Sequence, residues 1–230
     1  MKFPYKLIDL THTLDSHMPS WDGDCGFMHD LCLDYTDSQN EDTFRVMKLH
    51  MYAGIGTHID APSHCIPGGK CIHELDINDL CMPCVILDVS HKAHESYSAT
   101  PQDIRDFESI FGTINPGSCV MIKTGWERFW DEPEKYRNKH IFPSVTADAA
   151  NLLLERGITA LGIDTLSPDR PEDGYKVHRA FLGNEKILIE NVANLDKMPA
   201  TGSYVMAFPL KIKDGTEAPA RLIGLTLITS

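Results

Sequence analysis

The sequence predicts an α/β domain built on a mixed, strand-rich sheet. Short apolar runs recur along the whole chain, and helix start and stop signals fall between several of them. At 230 residues with 42% hydrophobic content, the chain can bury a large core without cross-links.

The elements follow in order. Leu7 to Thr11 reads as a short strand. Phe44 to Ala53 alternates loosely and runs into Gly54 and Gly56, which places the following motif at a strand end. Val85 to Val89 and Cys119 to Lys123 are compact apolar runs, as buried strands are. Between them Thr100 can cap a helix, Pro101 suits its first position, and Asp103 lies three beyond the cap. Phe107, Ile110 and Phe111 give that helix an apolar stripe, and Gly112 ends it. A second helix is expected from about Thr146 to Arg156, closed by Gly157. Further strands are read at Ile158 to Ile163, Ile187 to Ile189, Tyr204 to Phe208 and Leu222 to Ile228. With no repeat, low-complexity tract or linker, residues 1–230 read as a single domain.

The formal charge of −12 argues against a nucleic-acid partner bound through a basic surface. No run approaches the roughly 18 apolar residues of a membrane span. Nothing after Met1 resembles the apolar core of a signal peptide. The seven cysteines, an odd number, favour free thiols in the cytoplasm. Cys81 and Cys84 have redox-pair spacing, but they run into a strand instead of opening a helix.

The most informative segment is Gly56-Thr57-His58-Ile59-Asp60-Ala61-Pro62-Ser63-His64. On extended backbone His58 and Asp60 point to one face, where an imidazole and a carboxylate can grip one divalent ion. Pro62 then favours a turn that brings His64 back toward the same space. Such short patterns also occur by chance on surface strands. A catalytic metal usually needs three or more protein ligands, so the rest must come from other strand ends. Asp164, His178 and Glu190 are candidates, each with an ordinary alternative as a turn former, a surface histidine or a paired carboxylate. Cys65 and His73 could add ligands near the motif, and His17 could reach one from an early turn.

These residues resemble the signature of the metal-dependent cyclase-like hydrolases, a family that includes bacterial kynurenine formamidase, isatin hydrolase and trans-dienelactone hydrolase. The resemblance extends over nearly the whole chain: Asp9-Leu10-Thr11, the turn Trp21-Asp22-Gly23-Asp24, Gly162-Ile163-Asp164-Thr165, His178, Glu190 and Ala218-Pro219-Ala220-Arg221. It implies a swivelling β/β/α domain, in homodimers or homotetramers, acting on a small molecule. It implies His58, Asp60, His178 and Glu190 as metal ligands, His64 as proton donor and acceptor, and Trp21 as a wall of the substrate pocket. Zinc is the implied metal, with manganese or iron as the other candidates.

One departure stands out. The family pattern opens His-x-Gly-Thr-His, but this chain has Gly54-Ile55-Gly56-Thr57-His58, so the first ligand histidine is replaced by Gly54. His50 faces the same way, but it lies four residues earlier, about 13 Å along an extended strand. Asp22 stands where the formamidase turn has proline, and Cys65 where an aromatic follows His64. Both changes touch the pocket wall and point to a substrate other than N-formylkynurenine. The expectation is one firmly held ion, with a second left open, and metal-assisted hydrolysis of an amide, lactam or lactone. The rival reading is a non-catalytic metal or small-molecule binder that lost its first ligand at Gly54. A thiol redox protein using Cys81 and Cys84 is a third.

Overall fold

The computed structural model describes residues 4–37 and 43–228. Its strands are β1 (Tyr5–Asp9), β2 (Phe27–Leu33), β3 (Val46–Met51), β4 (His58–Asp60), β5 (Cys81–Asp88), β6 (Ser98–Ala99), β7 (Cys119–Lys123), β8 (Ser144–Val145), β9 (Ala160–Ile163), β10 (Ile187–Glu190), β11 (Ser203–Pro209) and β12 (Glu217–Leu227). Among the described residues, four α-helices separate some of them: α1 (Pro101–Phe111), α2 (Pro133–Arg137), α3 (Ala147–Glu155) and α4 (Lys176–Gly183).

The two expected helices form near their expected bounds. The amide of Thr100 donates to Asp103 Oδ2 at 2.6 Å, and α1 ends at Gly112 with φ of 86°. Thr146 Oγ1 accepts from the Ala149 amide at 3.2 Å to start α3. Helix α4 has no side-chain cap of its own. Asp169, a loop residue upstream, accepts from the amides of Val177 and His178 in its first turn, at 3.0 and 2.8 Å. A carboxylate there satisfies free donors and suits the positive end of the helix.

Seven strands form a closed, barrel-like sheet in the order β12-β11-β5-β7-β9-β10-β4, with β4 pairing back onto β12. The run β5-β7-β9-β10 is parallel, and the remaining links are antiparallel. β12 is long enough to serve two neighbours along one edge. Glu217 to Pro219 pair with β4, and Ile223 to Leu227 pair with β1, the eighth strand. Closure removes most of the exposed edge that an open sheet would present.

Strand alternation sorts the core into two clusters. Ile59, Ile86, Met121, Ala160, Ile189, Val205 and Ala218 pack together on one face. Their alternates Leu87, Val120, Ile122, Leu161 and Leu188 meet α1, α3 and α4 through Ile104, Phe107, Leu153, Phe181 and Leu182. Strands β2 and β3 form a separate two-stranded hairpin, which carries exposed Met28, Leu31, Met47 and Leu49.

Candidate metal centre

Strand register alone brings four polar side chains onto one face. In the β4–β10 pair, His58 stands opposite Glu190 and Asp60 opposite Leu188. In the β4–β12 pair, Asp60 stands opposite Glu217. Directly opposed residues in antiparallel strands share a face, as do residues two apart. His58, Asp60, Glu190 and Glu217 therefore line the helix side of the sheet, next to Leu188. Ile59, Ile189 and Ala218 point the other way into the core. Helix α4 packs over this face and delivers His178.

Four groups converge there. His58 Nε2 lies 3.5 Å from Asp60 Oδ1 and 3.3 Å from Glu190 Oε2. His178 Nε2 lies 3.6 Å from Asp60 Oδ2 and 3.5 Å from Glu190 Oε1. All four residues are buried. The other ring nitrogens are occupied: His58 Nδ1 donates to the Gly56 carbonyl at 2.9 Å, and His178 Nδ1 donates to Asp169 Oδ2 at 2.9 Å. A carbonyl and an ionised carboxylate can only accept, so these bonds place the proton on Nδ1 and leave both Nε2 lone pairs aimed at carboxylate oxygens.

Such an arrangement demands positive charge at its centre. The separations exceed the usual 2.7–3.2 Å of a nitrogen–oxygen hydrogen bond. They match the roughly 3.3–3.5 Å between neighbouring ligand atoms that tetrahedral zinc imposes with bonds of about 2.0–2.2 Å. Asp60 Oδ2 and Glu190 Oε1 are buried without a hydrogen-bond partner. The protonation tendencies say the same thing. Burial opposes charge on His58 and His178, yet carboxylates hold both well above the ordinary histidine range: Asp60 and Glu190 for His58, and Asp169 with Asp60 and Glu190 for His178. Burial, reinforced by Asp60, pushes Glu190 up, while the two histidines hold Asp60 low against its own burial. The donor set of two imidazoles and two carboxylates suits zinc, manganese or iron. The residues present fit a divalent ion.

His64 sits beside this cluster, with a ring nitrogen within 4.8 Å of ligand atoms of Asp60 and His178. Its Nδ1 donates to Glu217 Oε2 at 2.8 Å. The cluster forms one wall of a cavity of about 560 Å³, also lined by Trp21, Tyr52, Cys65, Tyr175 and Arg179. The Trp21 carbonyl accepts from Arg137 Nε at 2.7 Å, and its ring lies 4.2 Å from the His140 ring.

The family model Cyclase, described as "Putative cyclase", matches residues 8–170. The chain belongs to the Cyclase family. Isatin hydrolase of Roseibium aggregatum is 30% identical over 185 residues, covering 74% of this chain and 70% of that protein. Kynurenine formamidase of Bacillus anthracis is 30% identical over 221 residues, covering 95% and 96%. The solved structure of isatin hydrolase A from Labrenzia aggregata, bound to benzyl benzoate, superposes with a TM-score of 0.88 at 29% identity, covering 98% of this chain and 95% of that one.

Within this Cyclase chain, several sequence candidates fall elsewhere. His50 is on β3 of the exposed hairpin, where its Nε2 meets Asp30 Oδ2 at 2.8 Å, so it does not replace the side chain missing at Gly54. His17 is exposed beside Asp15 and Ser16. Asp164 is buried but fully engaged as a structural acceptor, taking the Thr124 amide and hydroxyl and the Gly125 amide at 2.9, 2.6 and 2.7 Å. His73 accepts from the Asp214 amide instead. Cys81 is exposed and Cys84 buried on β5; three residues apart on a strand, they face opposite sides and cannot act as a pair.

Sequence reading missed Asp169 and Glu217. Asp169 was visible only as a loop carboxylate upstream of His178. Glu217 heads the Ala218-Pro219-Ala220-Arg221 stretch, and only the pairing of β12 with β4 reveals its neighbours. Asn191 was also missed as a tie between the motif segments. Its side chain donates to the Gly56 carbonyl at 2.9 Å, while its own carbonyl accepts from Thr57 Oγ1 at 2.6 Å.

Proposed function

We propose that residues 1–230 act as one cyclase-like domain, a metal-dependent hydrolase that opens a small amide, lactam or lactone. The observation that carries this reading is the convergence of His58, Asp60, His178 and Glu190 beside His64 in an aromatic-walled cavity. The names of the two relatives support a C–N bond as the target. The four converging residues would hold one divalent ion firmly, zinc first, with manganese or iron as the other candidates. When bound, that ion would polarise the scissile carbonyl and acidify water.

The remaining work falls to the chain's own residues. With Nδ1 committed to Glu217, His64 uses Nε2 to take a proton from the attacking water and return it to the leaving nitrogen or oxygen. Trp21, with Tyr175 at 6.3 Å between ring centroids, forms a wall suited to a flat ring. Arg179, the one lysine or arginine lining the cavity among the described residues, matches the carboxylate that amide or lactone opening releases.

The fold would be of the swivelling β/β/α type, working as a homodimer or homotetramer. Exposed Met28, Leu31, Met47 and Leu49 on an isolated hairpin support such packing, because two strands alone are marginally stable in water. Seven unpaired cysteines support a cytoplasmic setting.

The test is turnover of N-formylkynurenine, isatin and simple lactones by zinc-loaded protein and its His64→Ala variant. The variant is expected to lose at least about 10²-fold in kcat while keeping its metal. Loss of metal would make His64 a ligand and break the assignment. No turnover of any substrate by the wild type would favour the non-catalytic binder.

A further inference from the structure

We propose that Glu217 occupies the space left by the absent side chain at position 54, and from there fixes the tautomer and orientation of His64. This inference rests on the reading of His64 as proton shuttle and assigns that site a positioning residue.

The geometry comes from three directions. A Cβ placed on Gly54 would lie 3.2 Å from Glu217 Cγ, 3.4 Å from Glu217 Oε1 and 3.4 Å from His58 Nε2. Gly54 is not in the left-handed backbone region, so conformation does not demand glycine there, whereas Gly56 has φ of 62°. A side chain at 54 would press on the Glu217 side chain, which would have to shift by a few tenths of an ångström, and would touch the His58 ring. Register explains how Glu217 reaches this point: it stands directly opposite Asp60 and shares its face.

The second direction is the bond that Glu217 makes. Its Oε2 accepts from His64 Nδ1 at 2.8 Å and also from the hydroxyl of Thr216. Both donors sit on one oxygen, so the carboxylate is anchored at its base and aimed at His64. Its side chain is mostly buried, whereas that of His64 is about one-third exposed. A half-open imidazole without a partner would populate both tautomers and turn about χ2. An ionised carboxylate on Nδ1 selects the tautomer whose Nε2 is free to accept a proton.

The third direction separates this role from metal ligation. Around the cavity, the ligand atoms that approach one another within 4.8 Å form the sets His58, Asp60, Glu190 and Asp60, His64, His178; a third set, Cys71, His73 and Glu74, lies apart, and among the described residues Glu217 joins none of them. Gly54 offers no side chain to the cluster, and the carboxylate beside it serves the proton-transfer residue.

The experiment combines ¹⁵N NMR of the His64 ring in zinc-loaded protein with steady-state kinetics on isatin and N-formylkynurenine. Zinc per chain is measured by elemental mass spectrometry. The wild type is expected to show protonated Nδ1 and unprotonated Nε2 at His64. In Glu217→Ala the ring should report a tautomer mixture, kcat should fall about 10²-fold with KM within about twofold, and zinc should remain at the wild-type level. Glu217→Gln, which keeps an acceptor oxygen, should recover part of the tautomer preference and of kcat, and it guards against a variant that fails to fold. Unchanged tautomer and kcat in Glu217→Ala would overturn the proposal. Loss of zinc in that variant would overturn it too, by making Glu217 a ligand. A wild type inactive on both compounds would count against the hydrolase reading alone, because the ring tautomer still decides whether Glu217 holds His64.

Discussion

Asp169 gives the sharpest test of how the site is built. Replacing it with alanine removes the acceptor for the amides of Val177 and His178 and for His178 Nδ1, at 3.0, 2.8 and 2.9 Å. Asp169 is 1% exposed, so water cannot replace it without local opening. Hydrogen bonds to a charged acceptor are worth about 1.5–3 kcal/mol each, but they share one carboxylate and one helix start and will not add fully. A loss of about 3–5 kcal/mol in folding stability is expected for Asp169→Ala. Asp169→Asn keeps one acceptor oxygen and should lose less, about 1–3 kcal/mol. The consequence for metal is separate. Without the carboxylate, the His178 ring is free to turn and becomes less basic, and outer partners of this kind typically change metal affinity by about 10–100-fold. Urea unfolding gives the first quantity, and zinc titration against a competing chelator gives the second. Unchanged zinc affinity in a folded Asp169→Asn variant would refute the claim that His178 binds metal through Nε2 under the control of Asp169.

Three further outcomes follow from the same geometry. Chelation should lower the thermal midpoint, and zinc at about 100 times its Kd should restore about 2.7 kcal/mol, read by calorimetry; equal midpoints would argue that the cluster holds no ion. Glu127, half-buried and pushed up to about 7 by burial and by Asp164, binds its proton more tightly in the folded state than its ordinary value of 4.5 allows. Its contribution is complete below about pH 4.5 and is lost as pH rises through about 7. After discounting for partial exposure, Glu127→Gln should gain about 1–2 kcal/mol more, relative to wild type, at pH 8 than at pH 5; the same gain at both would remove Glu127 as the cause. Gly54→His should cost about 1–3 kcal/mol by crowding Glu217, and much less in a Glu217→Ala background. A double-mutant cycle in urea that proves additive would show that the two positions do not compete.

Local chemistry was legible in the sequence, and long-range pairing was not. The Thr100 cap and the Gly112 and Gly157 stops helped locate α1 and α3, because capping depends on residues within one turn; that Thr146 caps α3 is seen only in the structure. The run Cys119 to Lys123 became β7 with the same bounds. The alternation of His58 and Asp60 was readable because it needs only extended backbone. Closure of the sheet was not, since nothing in Glu217-Ala218-Pro219 announces a partner as remote as β4. The segment around His50 was correctly read as extended, but a run of alternating residues does not reveal whether its partner is the central sheet or, as here, β2. Helix α4 was hidden because its first turn is capped from Asp169, outside the helix, which leaves no local signal ahead of Lys176. Asp164 misled for a related reason. A carboxylate after a buried strand implies compensation for burial, and the backbone and hydroxyl donors of Thr124 and Gly125 supply it without any ion.

The shortest strand of the barrel, β4, closes the ring and carries two of the four converging groups, flanked by β10 on one side and β12 on the other. This fixes when the site can exist during synthesis. His58 and Asp60 leave the ribosome early, but Glu190 comes much later, and β12, which holds β4 from the other side, later still. A nascent or prematurely terminated polypeptide therefore carries scattered histidines and carboxylates with no shared geometry. Only when β10 and β12 flank β4 do these groups take up their shared geometry.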